Sequence, residues 1–160
     1  SGLRYAEDQL FNLQVFPRAE RVALLAKDVY VYKFGGVTGN LTLSLFDDMI
    51  RLHSRKMGMT DREDWKKSEL RAFLNNVRSF LATLAVSGQL TARRMPEALQ
   101  KLNESSIWRQ ALEAHPGVDD GFFSAMRRND HAAAYQELSR NTFLKKVSYR
   151  LRRIILKLVR

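Results

Sequence analysis

Apolar side chains recur every three or four residues along most of this chain, from Leu41 onward. Such spacing places them on one face of an α-helix, where they can be buried together. The longest stretch runs from Thr60 to Gly88. Thr60 and Glu63 have the spacing of a capping box, and a glycine such as Gly88 suits a helix C-terminus. The sequence therefore predicts a long helix between these residues.

Shorter stretches with the same period predict further helices on both sides of the long one. Pro96 stands where a first helical turn tolerates proline. Asp119 or Asp120, and then Asp130, are placed to cap helix N-termini. The predicted segments are Leu41–Met57, a helix near Pro96, Ser106–Ala114, a turn through Phe123 and Met126, His131–Leu138 and Thr142–Arg160.

The residues before Leu41 follow a different pattern. Tyr5–Phe16 has helical spacing and ends at Pro17, which cannot continue the hydrogen-bond ladder. Arg21–Leu25 and Val29–Phe34 are rich in β-branched and aromatic residues, which favours strands. Glycines then mark a loop over residues 35–40. The expected fold is mainly α-helical, with a short β element at the N-terminal end.

Charge and composition limit the kinds of partner. The formal net charge is +10, from 27 Lys and Arg against 17 Asp and Glu. This excess favours nucleic acid, acidic lipid headgroups or phosphorylated substrates. The chain has no cysteine, which excludes disulfides and thiolate metal sites and fits a reducing compartment. His53, His115 and His131 have no ligand partner at helical spacing, so we expect surface or half-buried histidines.

An ordered set of short motifs near the N-terminus carries a family resemblance. Arg4-Tyr5 precedes the acidic pair Glu7-Asp8, and Leu10-Phe11-Asn12-Leu13 follows it. Tyr30-Val31-Tyr32 and the glycine-rich loop come next. This order resembles the catalytic "ED" segment of the inverting glycosyltransferases of family 2, which have the GT-A fold.

The resemblance covers roughly the first 45 residues and implies a division of the chain. Residues 1–45 would be the end of a GT-A α/β catalytic domain. Residues 46–160 would be a helical C-terminal region ending in a basic amphipathic helix. The nucleotide-binding half of the enzyme would precede residue 1, together with the carboxylates that hold a divalent metal, Mg²⁺ or Mn²⁺, on the donor diphosphate.

The same resemblance assigns roles to the acidic pair. Asp8 would be the general base that deprotonates the acceptor hydroxyl, and Glu7 would help to orient the acceptor. A positioned carboxylate contributes roughly 10²–10⁴-fold to such a step. A helix N-terminus favours the ionised form that a base needs. The alternative is that Glu7 and Asp8 are ordinary acids of a first helical turn.

Lys33 and Thr38 are the candidates for contact with the nucleotide-sugar donor. In the resembled family a basic residue and a Ser/Thr turn after the Tyr-x-Tyr strand line the diphosphate, and such groups suit an anionic leaving group. The family's common pattern has arginine and serine here, from which this chain departs. A plain strand-to-helix connection is the alternative. The Gln-x-x-Arg-Trp motif of processive synthases is absent, which argues against an enzyme that extrudes its product.

The last segment is strongly basic and amphipathic. Apolar residues recur at helical spacing between Leu144 and Leu158, and residues 141–160 contain no acid. This pattern is typical of a helix lying on an anionic membrane surface. Packing of its apolar side on the body is the alternative, and nucleic-acid binding is disfavoured because no binding motif is present. The candidate membrane-binding residues are Lys145, Lys146, Arg150, Arg152, Arg153 and Lys157.

These observations lead to two functional expectations. The first is the C-terminal part of a nucleotide-sugar-dependent inverting glycosyltransferase that builds a bacterial surface glycan, such as capsule or lipopolysaccharide. Its acceptor would be a glycan or a lipid-linked sugar at the cytoplasmic face of the cell membrane. This part alone would have no transferase activity. The second is a non-enzymatic basic helical module that binds membranes or protein partners.

Overall fold

A computed structural model describes residues 7–21, 23, 41–118 and 120–140. Of these residues 77% are helical, and none forms a strand. Short 3-10 turns occupy Phe16–Arg18 and Ala92–Arg94. The α-helices of this part of the chain are α1 Glu7–Val15, α2 Leu43–Met57, α3 Glu63–Ser87, α4 Met95–Asn103, α5 Ser106–Ala114, α6 Gly121–Arg127 and α7 His131–Ser139.

The expected α/β fold with an N-terminal β element is wrong for the described residues. They pack helix on helix, and no sheet is present among them. Of the predicted strands, Arg21 and Ala23 are described and are not in strand conformation. The rest of Arg21–Leu25, the predicted strand Val29–Phe34 and the glycine-rich loop lie outside the described residues. The division at residue 45 remains a prediction, because most of residues 1–40 lie outside the described part.

The helices predicted between Leu41 and Leu138 are confirmed. The long one, α3, ends at Gly88, which has a φ of 78°. Its predicted start was wrong, since the N-cap is Arg62 rather than Thr60. The Thr60 hydroxyl accepts a hydrogen bond from the Arg62 backbone N–H at 3.2 Å, so Thr60 shapes the turn before the helix. Glu63 then lies one position into α3 and pairs with Lys66 at 3.0 Å.

Side-chain caps fix the starts of three other helices. Asp120, one of the two predicted candidates, caps α6 and accepts from the Phe123 N–H at 2.9 Å. Asp130 caps α7 through the Ala133 N–H at 3.0 Å, as predicted. Thr42 caps α2 through the Leu45 N–H at 3.4 Å. Each cap satisfies a backbone donor that a helix start leaves without a partner.

The core lies around α3, which packs against α2, α5 and α7. Phe73, Leu74, Val77, Leu81 and Leu84 line its buried face and have no exposed surface. Trp108 of α5 completes an aromatic cluster, with its ring 6.5 Å from Phe73 and 6.2 Å from Phe123. The apolar residues that recur at helical spacing in the sequence are therefore the residues that form this core.

Within the described ranges, no helix combines the length and the apolar character needed to cross a bilayer.

Candidate functional site

The predicted base, Asp8, is the second residue of α1 and is exposed. One of its carboxylate oxygens, Oδ1, accepts a hydrogen bond from the backbone N–H of Gln9 at 2.9 Å. Asp8 is therefore placed to accept a hydrogen bond or a proton from a molecule arriving from solvent. Glu7 begins α1, and its side chain lies outside the described part.

Helix α1 packs on α2 through a small contact. Among the α1 side chains that the structure describes, Leu10 is the only buried one, with 4% of its surface exposed. Phe11, Val15 and Phe16 are exposed apolar residues on and just after the helix. The Lys56 ammonium of α2 donates to the Gln9 side-chain oxygen, Oε1, at 3.2 Å. The burial of Leu10 and the hydrogen bond between Gln9 and Lys56 thus help to hold the helix that carries Asp8.

A cluster of polar side chains lies between α2 and α3 beneath this contact. Glu69 Oε1 is 2.7 Å from His53 Nδ1 and 3.4 Å from Lys56 Nζ. The other ring nitrogen of His53, Nε2, is 3.0 Å from Asn76 Nδ2. The His53 ring also packs edge-on against Phe73, with ring centres 5.2 Å apart. We call His53, Lys56, Glu69 and Asn76 the His53 cluster.

Burial and charge act in opposite directions on Glu69. Burial by itself raises the pKa of the Glu69 carboxyl, because it penalises the charged form. The hydrogen bond from His53, the favourable electrostatic interactions with His53 and Lys56, and the Lys56 hydrogen bond lower the pKa and outweigh burial. The pKa of Glu69 is therefore below its ordinary value of 4.5. The carboxylate stays ionised and can hold two donors at once.

Sequence reasoning missed this cluster. His53 was expected at the surface or half-buried, but only 1% of it is exposed. Its partner Glu69 is 16 residues away on another helix. The available signal was the placement of His53 and Lys56 three residues apart on α2, which gives them a common face. Nothing in the sequence says which acid of a neighbouring helix meets that face.

The other predicted site residues lie outside the described part. This holds for Lys33 and Thr38, and for all six candidate membrane-binding residues between Lys145 and Lys157. Their assigned roles remain predictions. An open groove at the end of α7 is lined by Gln136, Glu137, Ser139 and Arg140, none of which was predicted as a site residue.

Over the described ranges, no three His, Asp or Glu side chains are grouped so that they could hold a metal ion. The metal ligands implied by the family resemblance were expected upstream of residue 1.

No family model, curated protein or solved structure matches this chain.

Proposed function

We propose that this chain is the C-terminal part of a nucleotide-sugar-dependent inverting glycosyltransferase, and that Asp8 is its general base. The ordered motifs from Arg4 to the glycine-rich loop support the class of reaction. The observation that carries the role of Asp8 is its exposed position on α1. There the carboxylate is accessible to an acceptor molecule that arrives from solvent.

The proposed step is a single displacement at the anomeric carbon of the donor sugar. The acceptor hydroxyl forms the new carbon–oxygen bond as its proton passes to Asp8. The bond between the anomeric carbon and the donor diphosphate breaks on the opposite face, and its electron pair leaves with the diphosphate. The configuration is therefore inverted. Proton removal matters because a sugar hydroxyl is a poor nucleophile at neutral pH.

Other residues of the chain have supporting roles in this proposal. Glu7 precedes the base and would orient the acceptor. Lys33 and Thr38 would contact the diphosphate, where a cation and backbone N–H groups stabilise the charge that develops on leaving. A Mg²⁺ or Mn²⁺ ion held by residues of the rest of the enzyme would neutralise the same charge.

The proposed setting is the inner face of the bacterial cell membrane. There the basic residues between Lys145 and Lys157 would contact anionic lipid while the enzyme extends a lipid-linked glycan for the cell surface. The charge distribution supports this. Residues 141–160 hold seven Lys and Arg and no acid, whereas the described residues hold 17 Lys and Arg against 15 Asp and Glu. The excess positive charge thus belongs mainly to one segment.

The proposed base is tested in the complete enzyme by Asp8→Asn. This variant keeps the size and shape of the side chain but cannot take up the proton. We expect the rate of sugar transfer to fall by roughly 10²–10⁴-fold while binding of the nucleotide sugar changes little.

Asp61→Asn is the matched control, because Asp61 is also exposed and is followed by a helix start. It should leave transfer unchanged. Transfer by Asp8→Asn at the unaltered rate would exclude Asp8 as the base.

A non-enzymatic module that binds a membrane surface or a protein partner is the second candidate. Two observations favour it. The core formed by α2 to α7 is continuous from Leu43 to Leu138 and includes no residue of α1. The charge excess lies in a separate segment. An upstream coding sequence without a nucleotide-binding half would favour this candidate over the enzyme.

A further inference from the structure

A series of polar contacts runs from α1 into the interior of the helical bundle. It starts at Gln9 Oε1, which accepts from Lys56 Nζ at 3.2 Å. Lys56 Nζ lies 3.4 Å from Glu69 Oε1, and the same oxygen lies 2.7 Å from His53 Nδ1. The series ends with the contact between His53 Nε2 and Asn76 Nδ2, at 3.0 Å. Three helices, α1, α2 and α3, are thereby connected.

The three central members of this series depend on one another because they are largely shielded from water, whereas Gln9 and Asn76 at its two ends are exposed. The side chains of His53, Lys56 and Glu69 are 2%, 12% and 11% exposed. A buried charge that loses its partner is strongly unfavourable, unlike a charge at the surface. Removing the Glu69 charge would therefore leave the Lys56 ammonium without compensation in its present position. Lys56 would move toward solvent and away from Gln9.

His53 fixes the other side of Glu69. With Asn76 Nδ2 donating to Nε2, the ring proton is on Nδ1 and is donated to Glu69. The His53 ring is held in turn by Phe73 of the core. Glu69 thus has a fixed orientation, and its carboxylate in turn fixes the position of the Lys56 ammonium.

Among the described residues, α1 has few other contacts with the bundle. Its described side chains offer one buried residue, Leu10, and one long-range polar contact, that of Gln9. Gln9 is the neighbour of Asp8, and its own backbone N–H binds the Asp8 carboxylate. The direction of Asp8 is therefore coupled to the Gln9 contact.

We infer that Glu69 is a positioning residue: it holds Lys56 so that Lys56 fixes α1 at Gln9 and, with it, the carboxylate of the neighbouring Asp8. The docking of α1 is a property of this chain by itself. Its consequence for catalysis rests on the proposed function, and the two are tested separately.

Amide hydrogen exchange of the purified chain tests the docking. Glu69→Gln keeps the shape of the side chain and removes the charge that holds Lys56. The amides of α1 should exchange about tenfold faster or more, as expected for the loss of a hydrogen bond to a charged group. The amides of α3 should change much less. Equal acceleration in α1 and α3 would mean that Glu69 only stabilises the bundle, and would overturn the inference.

Glu63→Gln is the matched control. It makes the same change on the same helix, but Glu63 is 85% exposed and pairs with Lys66. It should leave exchange in α1 unchanged. Lys56→Met removes the link itself and should free α1 as Glu69→Gln does. Retained protection of α1 in Lys56→Met would also overturn the inference.

A rescue variant separates positioning from general destabilisation. Gln9→Glu places a negative charge on α1 within reach of the Lys56 ammonium. In the Glu69→Gln background it should restore the slow exchange of α1, because Lys56 then has a charged partner on α1 itself. No recovery in the double variant would show that Lys56 is not the link between α1 and the bundle.

The complete enzyme tests the consequence for catalysis. Glu69→Gln should lower kcat and leave KM for the nucleotide sugar unchanged, and Gln9→Glu should recover part of the loss. If Glu69→Gln releases α1 but Asp8→Asn transfers sugar normally, the docking stands and the proposed function fails. If Asp8→Asn is inactive while Glu69→Gln keeps α1 docked and kcat intact, Asp8 stands and the positioning role fails.

Discussion

Gly88 ends α3 in the left-handed region, with a φ of 78°. A Cβ added there would meet no atom within 4 Å, so the cost of a side chain is conformational rather than steric. We expect Gly88→Ala to lower the free energy of unfolding by about 1–2 kcal/mol, the cost of left-handed backbone for an L-residue. Urea denaturation of the chain measures this change.

Gly117→Ala is the control for Gly88→Ala. Its added Cβ also meets nothing within 4 Å, and Gly117 does not have a positive φ. Gly117→Ala should be neutral or slightly stabilising, because it restricts the unfolded chain. Equal losses of stability in the two variants would contradict the conformational explanation.

Residues differ in how far the sequence alone predicts their roles. Gly88 and Asp130 were correctly predicted because a helix end depends on chemistry within one turn. Thr60 was wrong as a cap because its hydroxyl meets a nearer donor, the Arg62 N–H. The burial of His53 was missed because it depends on Glu69 and Phe73, which another helix brings to it. A sequence predicts features that depend on residues within one helical turn, but it does not predict which residues of different helices will pair.

The contacts between α2 and α3 also make the stability of the folded chain depend on pH in the acid range. The pKa of Glu69 lies below its ordinary value of 4.5 in the folded chain. A carboxyl with a lowered pKa contributes stability that is complete above the unfolded value and is lost as the pH falls through the folded value. The free energy of unfolding should therefore fall as the pH drops below about 4.5, and Glu69→Gln should weaken that fall.

Urea denaturation at a series of pH values measures the contribution of Glu69. The slope of stability against pH in the acid range is compared between the unaltered chain and Glu69→Gln. Glu63→Gln is compared alongside, since it makes the same change at an exposed position of α3. Identical acid slopes for the unaltered chain and Glu69→Gln would show that the pair with His53 and Lys56 adds no stability.

The helices themselves were predictable to a large extent. A helix satisfies its own backbone hydrogen bonds, so the spacing of Leu70, Leu74, Val77 and Leu81 was enough to identify α3. The expected β element is absent from the described residues, and the segment predicted as the strand Val29–Phe34 lies outside them. For the candidate site, the sequence predicted that Asp8 lies on a helix but not the His53 cluster beneath α1.

The distribution of charge over the whole molecule determines which segment would bind an anionic surface. The described residues are nearly balanced, with 17 Lys and Arg against 15 Asp and Glu. Residues 141–160 carry seven basic residues and no acid. If the membrane proposal is right, binding to lipid comes from this segment, and each basic residue near the surface contributes about 1 kcal/mol.

Liposome flotation tests this proposal. The full chain should float with vesicles that contain anionic lipid at low salt, and not with neutral vesicles. The interaction should weaken as salt screens the charges. A chain ending at residue 141 should lose binding, whereas Arg93→Gln and Arg109→Gln, which remove exposed cations from the bundle, should keep it. If the shortened chain binds as well as the full one, residues 142–160 do not contact lipid, and the setting at a membrane has no support from the charge of this protein.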